Sequence, residues 1–80
     1  MLTIALDTKN TAIRLHCSSG LTHEEITSAL QRGCFRFQDL GAFYAIQGTL
    51  DWKGVLAALR IDPSKAVQRG RDSNVITVTI

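Results

Sequence analysis

The chain reads as an α+β domain: one antiparallel sheet with two helices on one face. Three observations predict it. Two segments carry the 3.6-residue apolar spacing of amphipathic helices with capping residues at their starts. Short β-branched and aromatic runs precede, separate and follow them. No repeat, low-complexity tract or linker divides the 80 residues, so residues 1–80 form a single domain. A chain of this size buries only about 60–65% of its unfolded surface, and its core must be efficient or completed by a partner.

Taken in order, residues 2–7 (LTIALD) predict a strand that ends at Asp7. Residues 11–18 read in two ways. Ile13, Leu15 and Cys17 alternate with Arg14 and His16, the pattern of a half-buried strand, with Lys9-Asn10 turning a hairpin before it. The alternative is a long connection packed by Ile13 and Leu15. The first helix follows in LTHEEITSALQRG. Thr22 and Glu25 have the capping-box spacing, and Leu21 and Ile26 can staple the entry. Ile26, Ala29 and Leu30 mark the buried face, Glu24, Glu25 and Arg32 suit the helix dipole, and Gly33 offers a left-handed terminus.

CFRFQDLGAFYAIQG predicts a hairpin, turned at Asp39, Leu40 and Gly41. Trp52, Val55, Leu56 and Leu59 give the second helix its apolar face. Thr49 or Asp51 can cap it, Asp62-Pro63 ends it, and Gly54 inside it implies close packing. SKAVQRGRDSN reads as a polar connection with at most one short turn, and VITVTI as a terminal strand. If residues 11–18 are not a core strand, the order is β-α-β-β-α-β, the ferredoxin-like plait, with a possible extra hairpin strand at 11–17. Neither face of the Phe35–Gln47 hairpin is fully polar, which favours dimerisation through the sheet or its edge.

Composition narrows the function classes. Apolar residues are 45% and charged residues 20%, which excludes a disordered chain. A net charge of +2 permits nucleic-acid contact without demanding it. The two cysteines, Cys17 and Cys34, have no CxxC spacing and read as small buried hydrophobes in a reducing, cytoplasmic setting. No apolar run approaches the roughly 18 residues of a membrane span, and no signal-peptide pattern opens the chain. No phosphate-loop or dinucleotide fingerprint is present, and the histidines and cysteines lack zinc-ligand spacing.

Three stretches carry a family resemblance. TIALDT is similar to the first strand of the virulence-associated protein D family, which ends in a hydrophobic-Asp motif. ALQRGCFRFQDLGAFYAIQG resembles that family's helix end, glycine and strand pair, and WKGVLAAL falls where its second helix falls. The element order is also similar to that of small CRISPR-associated ferredoxin-like nucleases. The stretch from Thr8 to Gly20 departs from the pattern. The resemblance implies a homodimeric, toxin-like endoribonuclease, or an inactive relative. Asp7 matches the family's site residue. The resemblance further implies that two dimer-related copies hold a divalent metal, Mg²⁺ or Mn²⁺, which polarises an RNA phosphodiester and activates water.

The residues also admit plainer roles. Asp7 is either that catalytic, metal-binding carboxylate or a turn residue bonding its own backbone. If Thr8, Lys9 and Asn10 close a hairpin, the family match fails and the turn role stands. Arg36, Lys65, Arg69 and Arg71 are the candidate nucleic-acid contacts, the last three in the densest basic run. His16 is either a general base or a solvent-facing partner of Arg14, and His23 lies in the first helical turn. Ser18-Ser19-Gly20 is either a phosphate-holding loop or a plain one. Tyr44 and the phenylalanines either stack bases or pack the core. Three functions therefore stand open: the endoribonuclease, a non-enzymatic interaction module pairing through a sheet edge such as VITVTI, and a nucleic-acid binder without catalysis.

Overall fold

A computed structural model describes residues 1–69 and 74–80, with Arg69 described by its backbone alone. Six strands and two helices follow in the order β1 (Leu2–Asp7), β2 (Ala12–Cys17), α1 (His23–Arg32), β3 (Arg36–Asp39), β4 (Tyr44–Gln47), α2 (Trp52–Ala58), β5 (Ala66–Arg69) and β6 (Val75–Val78). All six strands join one antiparallel sheet in the order β3-β4-β2-β1-β6-β5.

The sheet has six strands where the plait expectation has four. Both additions have physical causes. The Ile13, Leu15, Cys17 alternation makes β2 a full strand, paired with β1 over Leu2↔Cys17 to Asp7↔Ala12 and with β4 on its other side. The alternative of a packed connection is therefore not adopted. β5 lies hidden in the run read as a polar connection, because Ala66-Val67-Gln68-Arg69 contains a single β-branched residue; pairing with β6 makes it a strand. The expected short turn is a 3-10 turn at Pro63–Lys65 just before it. β6, proposed as an open edge, is interior, bonded to β1 and β5; the edges are β3 and β5.

One face of the sheet is dry. Leu2, Ile4, Ile13, Leu15, Ile46, Ile76 and Val78 form a single buried cluster with Ile26, Ala29 and Leu30 of α1 and Val55, Leu56 and Leu59 from α2 and its cap. Both helices therefore cover the same face. Phe35, Phe37, Tyr44 and Trp52 pack on the rim of this core, partly buried. The other face bears Thr3, Ala5, Ala12, Arg14, His16, Ala45 and Gln47, none of them buried.

The helix starts follow the sequence closely. Thr22 and Glu25 form the reciprocal capping box, and Asp51 caps α2 by accepting from the Gly54 N–H at 3.0 Å. Thr49, the other candidate, accepts instead from the Asp51 N–H. A methyl group at Gly54 would run into the Asp51 carboxylate, so the glycine makes room for the cap.

The helix ends differ. Gly33 is not left-handed; Cys34, at φ +58, is. The Phe35 N–H then donates to the Leu30 carbonyl at 3.0 Å and the Cys34 N–H to Gln31 at 3.1 Å, the Schellman pattern. Gly33 is needed because a Cβ there would sit 2.6 Å from the Phe35 ring. Helix α2 stops the same way, with Arg60 left-handed and the Ile61 N–H on Leu56. It ends before Asp62-Pro63, and Asp62 instead accepts from the Ser64 N–H at the 3-10 turn. Cys34, expected to be buried, is exposed as a consequence of its place in that terminus.

Candidate functional site

Asp7, the residue singled out by sequence, ends β1 at the hairpin turn. The Asn10 backbone N–H donates to Asp7 Oδ1 at 3.1 Å, and Asn10 Nδ2 donates to Oδ2 at 2.9 Å. The Asn10 side chain, then its backbone N–H, hold the Asp7 carboxyl below its usual range, with Arg14 adding a weaker pull. Both oxygens thus serve the turn that residues 8–11 close. Among the described residues no group of three His, Cys, Asp or Glu side chains is placed to hold a metal ion.

The expected basic contacts do not converge. Arg36 lies exposed on edge strand β3, and Lys65 ends the 3-10 turn that leads into β5, at the opposite edge. Five strand steps of about 4.8 Å put those edges roughly 24 Å apart. Arg69 pairs through its backbone with Val75, and Arg71 lies outside the described residues. The Ser18-Ser19 loop has another occupant: the Met1 ammonium donates to the Ser19 carbonyl at 3.0 Å and to its Oγ at 3.2 Å.

Two other regions gather chemistry. The first is the open sheet face. Arg14, in the middle strand β2, holds its guanidinium 5.5 Å from the centre of the Phe43 ring. Along this pair runs a groove of about 340 Å³, lined by Arg14 and Phe43 with Ala12, Leu40, Ala45 and Gln47, and by Asp7 and Asn10 at its turn end. Register places Arg36, Gln47, Ala12 and Asp7 in one row across that face, and Gln38, Ala45, Arg14 and Ala5 in the next. The small side chains leave the ground beside Arg14 low and open.

The second is a cleft of about 390 Å³ where β2 runs past the start of β4. His16, His23, Asp39 and Tyr44 line it, with Cys17 and Ala42. His16 Nδ1 lies 2.8 Å from the Ala42 carbonyl oxygen. A carbonyl only accepts, so Nδ1 carries the proton and the neutral ring keeps a lone pair on Nε2. His23, on the first turn of α1, has Nδ1 2.6 Å from Tyr44 Oη and 3.7 Å from Asp39 Oδ2. Its ring also stacks on Tyr44, with centroids 5.8 Å apart. Burial, then the Asp39 charge, push the Tyr44 phenol above its ordinary range, so it stays protonated at neutral pH.

Sequence reasoning named His16 and His23 singly and gave neither a partner. The signal it had was alternation, which puts Arg14 and His16 on the face opposite Ile13 and Leu15. Nothing in a linear reading joins residue 16 to 42, or 23 to 39 and 44.

Fold and sites together define a two-layer α+β protein with one bare sheet face and a polar cleft at the end of its central strands. Compared with known proteins, the chain matches no family model, no curated protein and no solved structure. No helix among the described residues is long and apolar enough to cross a membrane.

Proposed function

We propose that the protein binds single-stranded RNA across its bare sheet face. The observation that carries this reading is the Arg14–Phe43 pair in the middle of that face, beside an open groove. A ring backed by a guanidinium is a stacking surface for a base, and the arginine also answers a phosphate. The groove's volume suits one splayed nucleobase, and Gln38 and Gln47 supply hydrogen-bonding groups on the same face. Arg36 extends the basic side toward the edge. A protein-docking face has its charges at the rim and large apolar groups at its centre. Here a guanidinium stacked on a ring is central, beside two alanines, a leucine and a glutamine, with the Asp7 carboxylate kept to the turn end, so a nucleic-acid strand is the better occupant than a protein partner.

The metal-assisted homodimer reading adds a metal and a second chain to an Asp7 carboxylate that already accepts from Asn10 through both oxygens; one chain supplies every group of the platform. VITVTI offers no free edge for the interaction-module reading. We also read the frame as an enlarged ferredoxin-like plait. Setting β2 and β5 aside, β1-α1-β3-β4-α2-β6 is a β-α-β-β-α-β succession.

Fluorescence anisotropy with a labelled RNA 12-mer tests the platform. Saturable binding that weakens with salt is expected, its log–log slope falling by about 0.7 for each phosphate-contacting arginine removed. Binding unmoved by Arg14→Ala together with Phe43→Ala would overturn it. So would the absence of RNA binding in a chain that instead captures one protein stoichiometrically.

A further inference from the structure

We propose that His16 makes the platform select RNA over DNA, its Nε2 accepting a hydrogen bond from the ribose 2′-hydroxyl of the nucleotide stacked on Phe43. The proposal rests on the platform reading and adds to it the residue that reads the sugar.

His16 stands exposed on the bare face of β2, two residues from Arg14 and opposite Thr3 of β1. The last β2–β4 pair is Leu15↔Tyr44, so the next step of the register sets His16 beside Phe43. Side chains opposite one another in this way have Cβ atoms about 5 Å apart. Phe43 therefore meets two β2 residues on the same face, Arg14 and His16, about 7 Å apart along the strand.

The two flanks of the Phe43 ring differ. The groove leaves it on the Arg14 side, running past Ala45 and Gln47 to the turn, and His16 does not line that groove. A base lying in the groove directs its edge toward Gln47. Its sugar is then carried on the other flank, at His16.

The His16 ring is already oriented for that sugar. Nδ1 lies 2.8 Å from the Ala42 carbonyl oxygen, which only accepts, so Nδ1 carries the proton and the neutral ring presents a lone pair at Nε2. No protein group among the described residues engages Nε2. A lone pair needs a donor. A phosphodiester has none to give, and a deoxyribose has none at its 2′ carbon. The ribose 2′-hydroxyl is a donor, and it is the group by which a protein tells the two nucleic acids apart. An imidazole also accepts without bringing a negative charge near the phosphates, as a carboxylate would. Because the Ala42 carbonyl holds the ring in advance, little side-chain freedom is lost when the strand binds.

Fluorescence anisotropy with the full chain at about pH 8, above the ordinary imidazole range, tests the assignment. Three labelled 12-mers of one sequence are compared: RNA, its all-2′-deoxy counterpart with uracil retained, and 2′-fluoro RNA, which keeps the ribose pucker and lacks the donor. The parent chain should bind the RNA about fivefold more tightly than either of the others, the net worth of one hydrogen bond. His16→Phe keeps a flat ring and removes the lone pair. It should bring RNA binding down to the deoxy level and leave deoxy binding within about twofold. The comparison of the three strands uses the parent alone, so it holds whether or not the variant folds. Equal binding of RNA and the deoxy strand by the parent overturns the proposal and spares the platform. So does 2′-fluoro RNA bound as tightly as RNA, which assigns the preference to strand shape, and so does a preference for RNA that survives His16→Phe. A parent chain that binds none of the three overturns both readings.

Discussion

The two ends of the first hairpin make opposite use of side chains that look equally chemical. At the turn end, Asp7 is satisfied by Asn10, three residues on, through both of its oxygens. At the open end, His16 is fixed through one nitrogen by Ala42, 26 residues away, and the other nitrogen is left free. The Asp7 carboxylate keeps a lone pair on each oxygen, but its orientation is set by its own turn. The His16 ring is oriented instead by a distant loop. The difference between the two side chains therefore lies in whether a local or a distant partner holds them, rather than in residue type.

The sharpest way to break this comparison is to remove one group from each end. His16→Ala, which removes an anchored ring from the bare face, should weaken single-stranded RNA binding by about tenfold or more, while Asp7→Asn should leave it within about twofold. Fluorescence anisotropy measures both. The reverse pattern would return function to the turn and to the metal-assisted reading.

Next in size is the centre of the platform itself. Arg14→Ala removes the cation above Phe43 and one phosphate contact, and should weaken single-stranded RNA binding by about tenfold, roughly 1.4 kcal/mol. Arg36→Ala, at the edge strand, should cost less. If Arg36 dominates in anisotropy titrations, the strand crosses the sheet edge and not its centre.

How much of this was legible in the sequence depends on how local each cause is. The capping box at Thr22 and Glu25, the Asp51 cap and the apolar helix faces are set within four residues of themselves, and a linear reading finds them. Alternation also marked Ala12–Cys17, but whether that stretch entered the sheet turned on pairing with β1 and β4. Strand β5 was illegible, since AVQR has one β-branched residue and becomes a strand only beside β6. The helix ends misled because glycine is the usual left-handed residue. Here Gly33 yields its Cβ space to Phe35, and Cys34 and Arg60 adopt the left-handed conformation. The cleft was least legible of all: its groups come from β2, α1, β3, the following loop and β4, so its composition is a property of topology. Asp7 stood out because it ends a strand, a local cue that a turn residue shares with a catalytic one.

The smallest effect concerns Asp7 itself, and it separates the two ends by pH. Its folded pKa is depressed by the Asn10 side chain and backbone, so folding favours the ionised form. The stability this contributes is fully present above the ordinary carboxylate range, near pH 4, and is lost as pH falls through the lower folded value. Asn10→Ala removes the larger of these stabilising bonds. It should lower Tm at pH 7, and the gap between variant and parent should close as pH falls through the parent's lowered folded value, where its carboxylate becomes protonated too. A Tm difference that persists unchanged at acid pH would mean that Asn10 supports the turn through its backbone geometry and not through Asp7.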